Sequence, residues 1–92
     1  MEEARFEKIL YEAFQYHQQG NIKNAAICYN KLISEGFKDP RVYSNLGAIF
    51  EQIGKIEKAI QLYKLSISYF PDDTNSHYNL GSLLYKQNKL DE

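Results

Sequence analysis

Residues 40–73, PRVYSNLGAIFEQIGKIEKAIQLYKLSISYFPDD, decide the fold. Within them Tyr43, Leu46, Gly47, Phe50 and Ile53 recur at spacings of three and four, and after a short break so do Ile56, Ala59, Ile60, Tyr63 and Ile67. Apolar residues at that interval line one face of an α-helix, and the period-two alternation of a half-buried strand is nowhere sustained. Asp39 before Pro40 offers a side-chain cap and then a residue whose fixed φ suits the first helical position. Gly54 falls in the break, where a residue that tolerates a left-handed conformation ends a helix, and Pro71 stops the second helix. The segment predicts two helices joined by a tight turn, an antiparallel hairpin.

The same pattern recurs on both sides. Shifted by 34 residues, residues 6–39 match residues 40–73 at eight positions: Gln18/Gln52, Gly20/Gly54, Ile22/Ile56, Ala25/Ala59, Tyr29/Tyr63, Ile33/Ile67, Ser34/Ser68 and Asp39/Asp73. Asn45-Leu46-Gly47 returns as Asn79-Leu80-Gly81, and Lys55-Ile56-Glu57 as Lys89-Leu90-Asp91. The organisation is therefore repeat one at 6–39, repeat two at 40–73 and a partial repeat three at 74–92, all within one domain spanning 1–92. Helices are expected at 4–19, 22–35, 40–53, 56–70 and 74–87, with Gly20, Gly54 and Asn88 at equivalent turns. Ala13, Ala25, Gly47, Ala59 and Gly81 are expected where helices cross most closely, and Tyr16, Tyr29, Phe50 and Tyr63 are expected to fill the core beside them.

Repeat two resembles the tetratricopeptide consensus, with Tyr43, Leu46-Gly47, Phe50, Ala59, Tyr63 and Pro71 at the family's spacings. Repeat one keeps Ala13, Tyr16, Ala25 and Tyr29 but has Ile9, Glu12 and Phe37 where the consensus has an aromatic, Leu and Pro. Repeat three keeps Leu80-Gly81 but has His77 and Leu84 where aromatics are usual. The resemblance covers residues 6–92 and implies an all-α fold: a right-handed α-solenoid of antiparallel helix pairs, about two and a half repeats long. It also implies a protein-protein interaction scaffold binding a peptide or partner helix on its concave face; the lone cysteine and the lack of a signal-like or eighteen-residue apolar run lead to the expectation of a cytoplasmic chain. The alternative the resemblance implies is a non-catalytic repeat arm of a larger enzyme, such as a glycosyltransferase or sulfotransferase.

Composition narrows the chemistry. Eleven Lys plus Arg against twelve Asp plus Glu leave a formal net charge of −1, and no run of like charges makes a face of one sign. Nucleic acid and anionic membrane are poor partners for such a surface. Cys28 is the one cysteine, so an internal disulfide is excluded, and its small apolar side chain reads as packing. His17 and His77 lie far apart with no second ligand at metal spacing, and no phosphate loop or nucleophile elbow occurs. Neither a catalytic residue, a cofactor nor a metal is expected.

By the resemblance, the first helix of each repeat lines the concave side. Its inner positions map onto Leu10, Tyr11, Phe14 and His17 in repeat one, onto Arg41, Asn45, Glu51 and Gln52 in repeat two, and onto Asn75, Tyr78, Asn79, Ser82 and Tyr85 in repeat three. These sets keep helical spacing and form a face distinct from the core stripe, apolar or amphipathic at Leu10, Phe14, Tyr78 and Tyr85 and hydrogen-bonding at Asn45 and Asn79. Modules of the family that clamp the carboxylate tail of heat-shock chaperones place cations and amides where this chain has Leu10, Phe14, Asn45, Asn75 and Asn79. Only Asn45 fits, so a neutral or apolar ligand suits this face better.

The outer stripe of the first helices reads Lys8, Glu12, Gln15, Gln19 in repeat one but Val42, Leu46, Ile49, Ile53 in repeat two. A polar stripe there predicts that repeat one opens the stack. Leu90-Asp91-Glu92 reads as the start of a second helix that would cover His77, Gly81 and Leu84, which predicts one section of a longer array rather than a short protein ending on a capping helix. An uncovered apolar stripe at that end predicts a weak homodimer through it.

Overall fold

The computed structural model describes residues 2–91, with side chains as far as residue 89. Among them are five α-helices and no strand: α1 (Glu2–Gln18), α2 (Ile22–Ser34), α3 (Pro40–Gln52), α4 (Ile56–Tyr69) and α5 (Thr74–Asp91). α1 packs on α2 and α3 on α4, giving two hairpins; α2 also meets α3, and α5 meets both α4 and α3. Packing of neighbour on neighbour builds a ladder 50 × 28 × 18 Å across, in place of a sphere around one centre.

Local chemistry sets the helix ends. Gly20 and Gly54 adopt φ of +81° and +86°, a region that costs a residue with a Cβ but not glycine. Each closes its helix with a pair of backbone bonds: Gly20 N to His17 O at 3.1 Å with Asn21 N to Tyr16 O at 2.8 Å, and Gly54 N to Glu51 O at 3.1 Å with Lys55 N to Phe50 O at 2.8 Å. Gly36 closes α2 in the same way, a stop hidden by the repeat register because the equivalent residue is Phe70. The Asp39 carboxylate accepts the Arg41 N–H at 2.9 Å, as a cap should, and the Arg41 guanidinium folds back on both of its oxygens. That ion-paired hydrogen bond holds the Asp39 carboxyl below its ordinary pKa, against the opposing effect of burial.

Asp73 caps α5 by accepting from Ser76 N at 3.0 Å and from Ser76 Oγ at 2.6 Å. With its proton so used, Ser76 Oγ accepts from Ser66 Oγ at 2.7 Å. Both serines are fully buried, and each hydroxyl has a partner, which ties α4 to α5 without an unpaired polar atom.

The core follows the small residues. Ala13, Ala25 and Ala59 are sealed, with Tyr29, Leu32, Val42, Leu46 and Ile49 around the first two and Ile60, Tyr63 and Leu83 around the third. Phe50 packs against both groups and makes the core continuous. Gly47 lies directly under the Tyr63 ring, where an added Cβ would come within 2.6 Å of Cε1.

Repeat three departs from the expectation. α5 continues through Asn88, Leu90 and Asp91, so Asn88 makes no turn and no second helix begins at Leu90; Glu92 lies outside the described residues. A left-handed Asn costs about 1–2 kcal/mol that Gly20 and Gly54 do not incur, and at Asn88 no hairpin closes to offset it. Gly81 is likewise no close crossing: nothing stands within 4 Å of where its Cβ would be, because no described helix lies over it.

Candidate functional site

The inner positions of α1, α3 and α5 separate into three kinds once the helices pack. Leu10 belongs to the core, only 1% exposed, and Phe14 is half-buried against the same cluster with its ring 6.4 Å from that of Tyr29. Leu10 thus offers a ligand no side chain, contrary to what its place in the sequence implied, and Phe14 presents only part of its ring. The reason lies in the neighbouring repeat: residue 10 corresponds to Ser44, which is also buried, and to Tyr78, which is 75% exposed. That position is sealed on α1 and α3, whose hairpins are each followed by a further helix pair or helix that packs on them, and open on α5, which no described helix follows.

A second kind is braced by its neighbours. Tyr29 and Tyr63, on α2 and α4, pass between the first helices and hold their inner side chains from behind. Asn45 Nδ2 donates to the Tyr29 hydroxyl at 3.2 Å, and that hydroxyl lies 3.4 Å from His17 Nδ1, to which its own proton can be given. Tyr63 donates to Glu51 Oε1 at 3.0 Å, and Lys86 Nζ donates to Glu51 Oε2 at 3.4 Å, linking α4, α3 and α5. Burial pushes the Tyr63 phenol well above its ordinary pKa and the Glu51 carboxylate pushes it further, so it stays a neutral donor at any working pH. Burial raises Tyr29 in the same direction. The Arg41 guanidinium lies 5.6 Å from the Phe14 ring centroid, which joins α1 to α3 across the same face. Repeat register pointed to both tyrosines as core, and nothing in it pointed to their hydroxyls as supports for Asn45 and Glu51.

The third kind is open. Tyr11 is 63% and Tyr85 61% exposed; Gln52 and Asn75 are exposed, and Asn79 and Ser82 are half-buried. Gln15 Nε2 donates to the Tyr11 hydroxyl at 2.9 Å, and the Lys89 ammonium sits 4.9 Å from the Tyr85 ring centroid. Phe14, His17, Arg41, Asn45 and Glu51 are thus drawn together through their neighbours on adjoining helices, while Tyr11, Tyr78 and Tyr85 stand out from the surface.

Two features bear on chemistry elsewhere. Among the described residues no group of three His, Cys, Asp or Glu could hold a metal ion, and no helix is long and apolar enough to cross a membrane. Burial raises the pKa of the Cys28 thiol, which disfavours the reactive thiolate.

Stacked helix hairpins joined by glycine turns, at a 34-residue interval, define an α-helical repeat protein. Residues 49–88 match the family model described as TPR repeat, and this match, with the tetratricopeptide repeat relative below, supports assignment to the tetratricopeptide-repeat family. It is similar to the Escherichia coli uncharacterized protein YgeG, 36% identical over 76 residues that make up 82% of this chain and 47% of that protein. It is also similar to tetratricopeptide repeat protein 8 of Caenorhabditis elegans, 35% identical over 51 residues, 55% of this chain and 10% of the other. An uncharacterized protein of Haemophilus influenzae is 29% identical over 80 residues, 87% of this chain and 45% of that protein. The chain spans less than half the length of each of these relatives. Repeats of this family generally mediate protein-protein interaction and are typically non-catalytic scaffolds.

Proposed function

We propose that the chain is a protein-interaction module that holds an extended peptide across the inner faces of α1, α3 and α5. The observation that carries this reading is the set of exposed tyrosines on the first and last of those helices, Tyr11 on α1 and Tyr78 and Tyr85 on α5. Each brings a rigid apolar ring with a polar tip, the combination that anchors interfaces at low entropic cost. Around them Asn75, Asn79 and Gln52 offer donors and acceptors of the kind a peptide backbone needs when it cannot bond to itself. Asn45 and Glu51 are held in fixed orientation by Tyr29 and Tyr63, so little freedom would be lost on binding. Peptides selected from a random displayed library against this chain provide the probe. Tyr11→Ala with Tyr85→Ala should weaken their binding about tenfold or more while leaving the melting temperature unchanged, since both side chains are exposed. Selected peptides indifferent to this double variant would overturn the reading.

Weak self-association through α5 is a second proposal, supported by Leu84, which is exposed, and by the open space over Gly81. Two copies meeting there would each cover the other's apolar stripe, although one helix pair barely reaches the roughly 1,000 Å² that a stable contact needs. Sedimentation at high micromolar concentration should show dimer, and Leu84→Glu should return it to monomer. A strict monomer at that concentration would defeat the idea.

A further inference from the structure

On the opposite side of the ladder, α2 and α4 stand apart and leave a trough floored by α3. It consists of two adjoining hollows of about 380 and 270 Å³ that share Asn30 and Phe50. Leu46, Ile49 and Phe50 form its floor, with Ile53 at the end of α3, 48% exposed, and Ile27 and Leu65 stand on its walls, 57% and 37% exposed. Among the described residues the charged ones lining it are Lys23 on α2 and Lys58 on α4, and no carboxylate does so. This asymmetry extends along the second helices: α2 carries Lys23 and Lys31 and no acid, and α4 carries Lys58 and Lys64 against Glu57, whereas α1 carries Glu2, Glu3, Glu7 and Glu12 against Arg5 and Lys8.

We infer that this trough binds an amphipathic helix whose apolar stripe is flanked by carboxylates. The apolar walls call for an apolar face on the occupant, and the lysines on both sides call for negative charge along both margins of that face. A helix is required rather than an extended strand. An extended backbone laid on this floor would lose water from its N–H and C=O groups and find few replacements, the amides of Asn30 and Gln61 and the donors of Lys23 and Lys58, whereas a helix satisfies its own backbone. The inner face differs in kind, because its amide side chains can serve an extended chain. The two faces can therefore engage two different partners at once.

The test uses the whole chain and a fluorescent synthetic peptide of about 18 residues, with leucines at positions i, i+3, i+4 and i+7 of each two turns and glutamates on both flanks. A control peptide has lysine at every glutamate. Fluorescence anisotropy should give at least about tenfold tighter binding for the acidic peptide, a preference that shrinks in high salt as the charges are screened. The acidic peptide should gain helical circular dichroism on binding. Ile27→Glu with Leu65→Glu should weaken it at least about tenfold, and Lys23→Glu with Lys58→Glu should transfer the preference to the lysine peptide. Each of these side chains is exposed, so the helical spectrum of the variants should match the parent. Tyr11→Ala with Tyr85→Ala should leave acidic-peptide binding intact, which separates this site from the inner face. Absence of binding, equal affinity for the two peptides, binding without gain of helix, or binding that survives both trough variants would each overturn the inference.

Discussion

Replacing Gly47 with Leu is expected to destabilise the fold by about 3 kcal/mol, the upper end of what overpacking a well-filled core costs. Even a methyl group at this position would come within 2.6 Å of Tyr63 Cε1 and 2.9 Å of Cδ1, well inside any real carbon contact. The ring cannot swing aside: it is buried, and its hydroxyl is fixed on Glu51. Relief has to come from moving α3 away from α4, and both helices also pack on α5. In a domain of this size the expected loss lowers the thermal midpoint by more than about 10 °C. Glu7→Leu adds the same side chain to the exposed surface of α1 and should change stability by no more than about 0.5 kcal/mol. Equal midpoints for the two variants would show that α3 and α4 do not cross at Gly47.

Truncating Tyr29 should cost as much or more by the opposite route. Its side chain is fully buried between repeats one and two, with Phe14 and His17 against its ring and Asn45 on its hydroxyl. Tyr29→Ala removes that ring from a position where α1, α2 and α3 converge and should destabilise by about 3–5 kcal/mol, the range for emptying a buried aromatic site. Tyr29→Phe keeps the ring and removes only the hydroxyl, whose net worth is about 0.5–1.5 kcal/mol. Chemical denaturation of the two variants therefore divides packing from hydrogen bonding. A Tyr29→Phe loss equal to that of Tyr29→Ala would place the stabilisation in the Asn45 and His17 contacts instead of the ring. Because Asn45 is held by this hydroxyl, Tyr29→Phe should also loosen any ligand that bonds to Asn45, an effect of position and not of direct contact.

The helical elements were legible because each rests on information local to a few residues. Asp39-Pro40 is a cap and a start wherever it occurs, Gly20 and Gly54 end helices because only glycine adopts that backbone without strain, and the three- and four-residue spacing of apolar side chains needs no partner to be recognised. The 34-residue register then assigned Ala25, Gly47 and Ala59 to the close crossings, since a repeated small residue between larger ones marks the same contact each time. Register also misled: it carried Asn88 into the role of Gly54 and Gly81 into that of Gly47. Equivalence in the alignment supplies neither the missing Cβ freedom at residue 88 nor a helix lying over residue 81.

The sequence by itself thus determined the five helices, their pairing into hairpins and the small and aromatic residues at the centre of the core, all consequences of backbone preference and of a period written into the chain. Only the tertiary structure decided which face of each helix remained available. Leu10 and Tyr78 occupy the same position in the repeat, yet one is sealed in the core and the other stands in solvent. The trough between α2 and α4 exists only because α3 sits beneath them both, and the hydroxyls of Tyr29 and Tyr63 support Asn45 and Glu51 only because α2 and α4 bring them there. Exposure at a given position depends on what packs beside it, and that neighbour comes from a different helix, often a different repeat, whose approach no spacing along a single helix records.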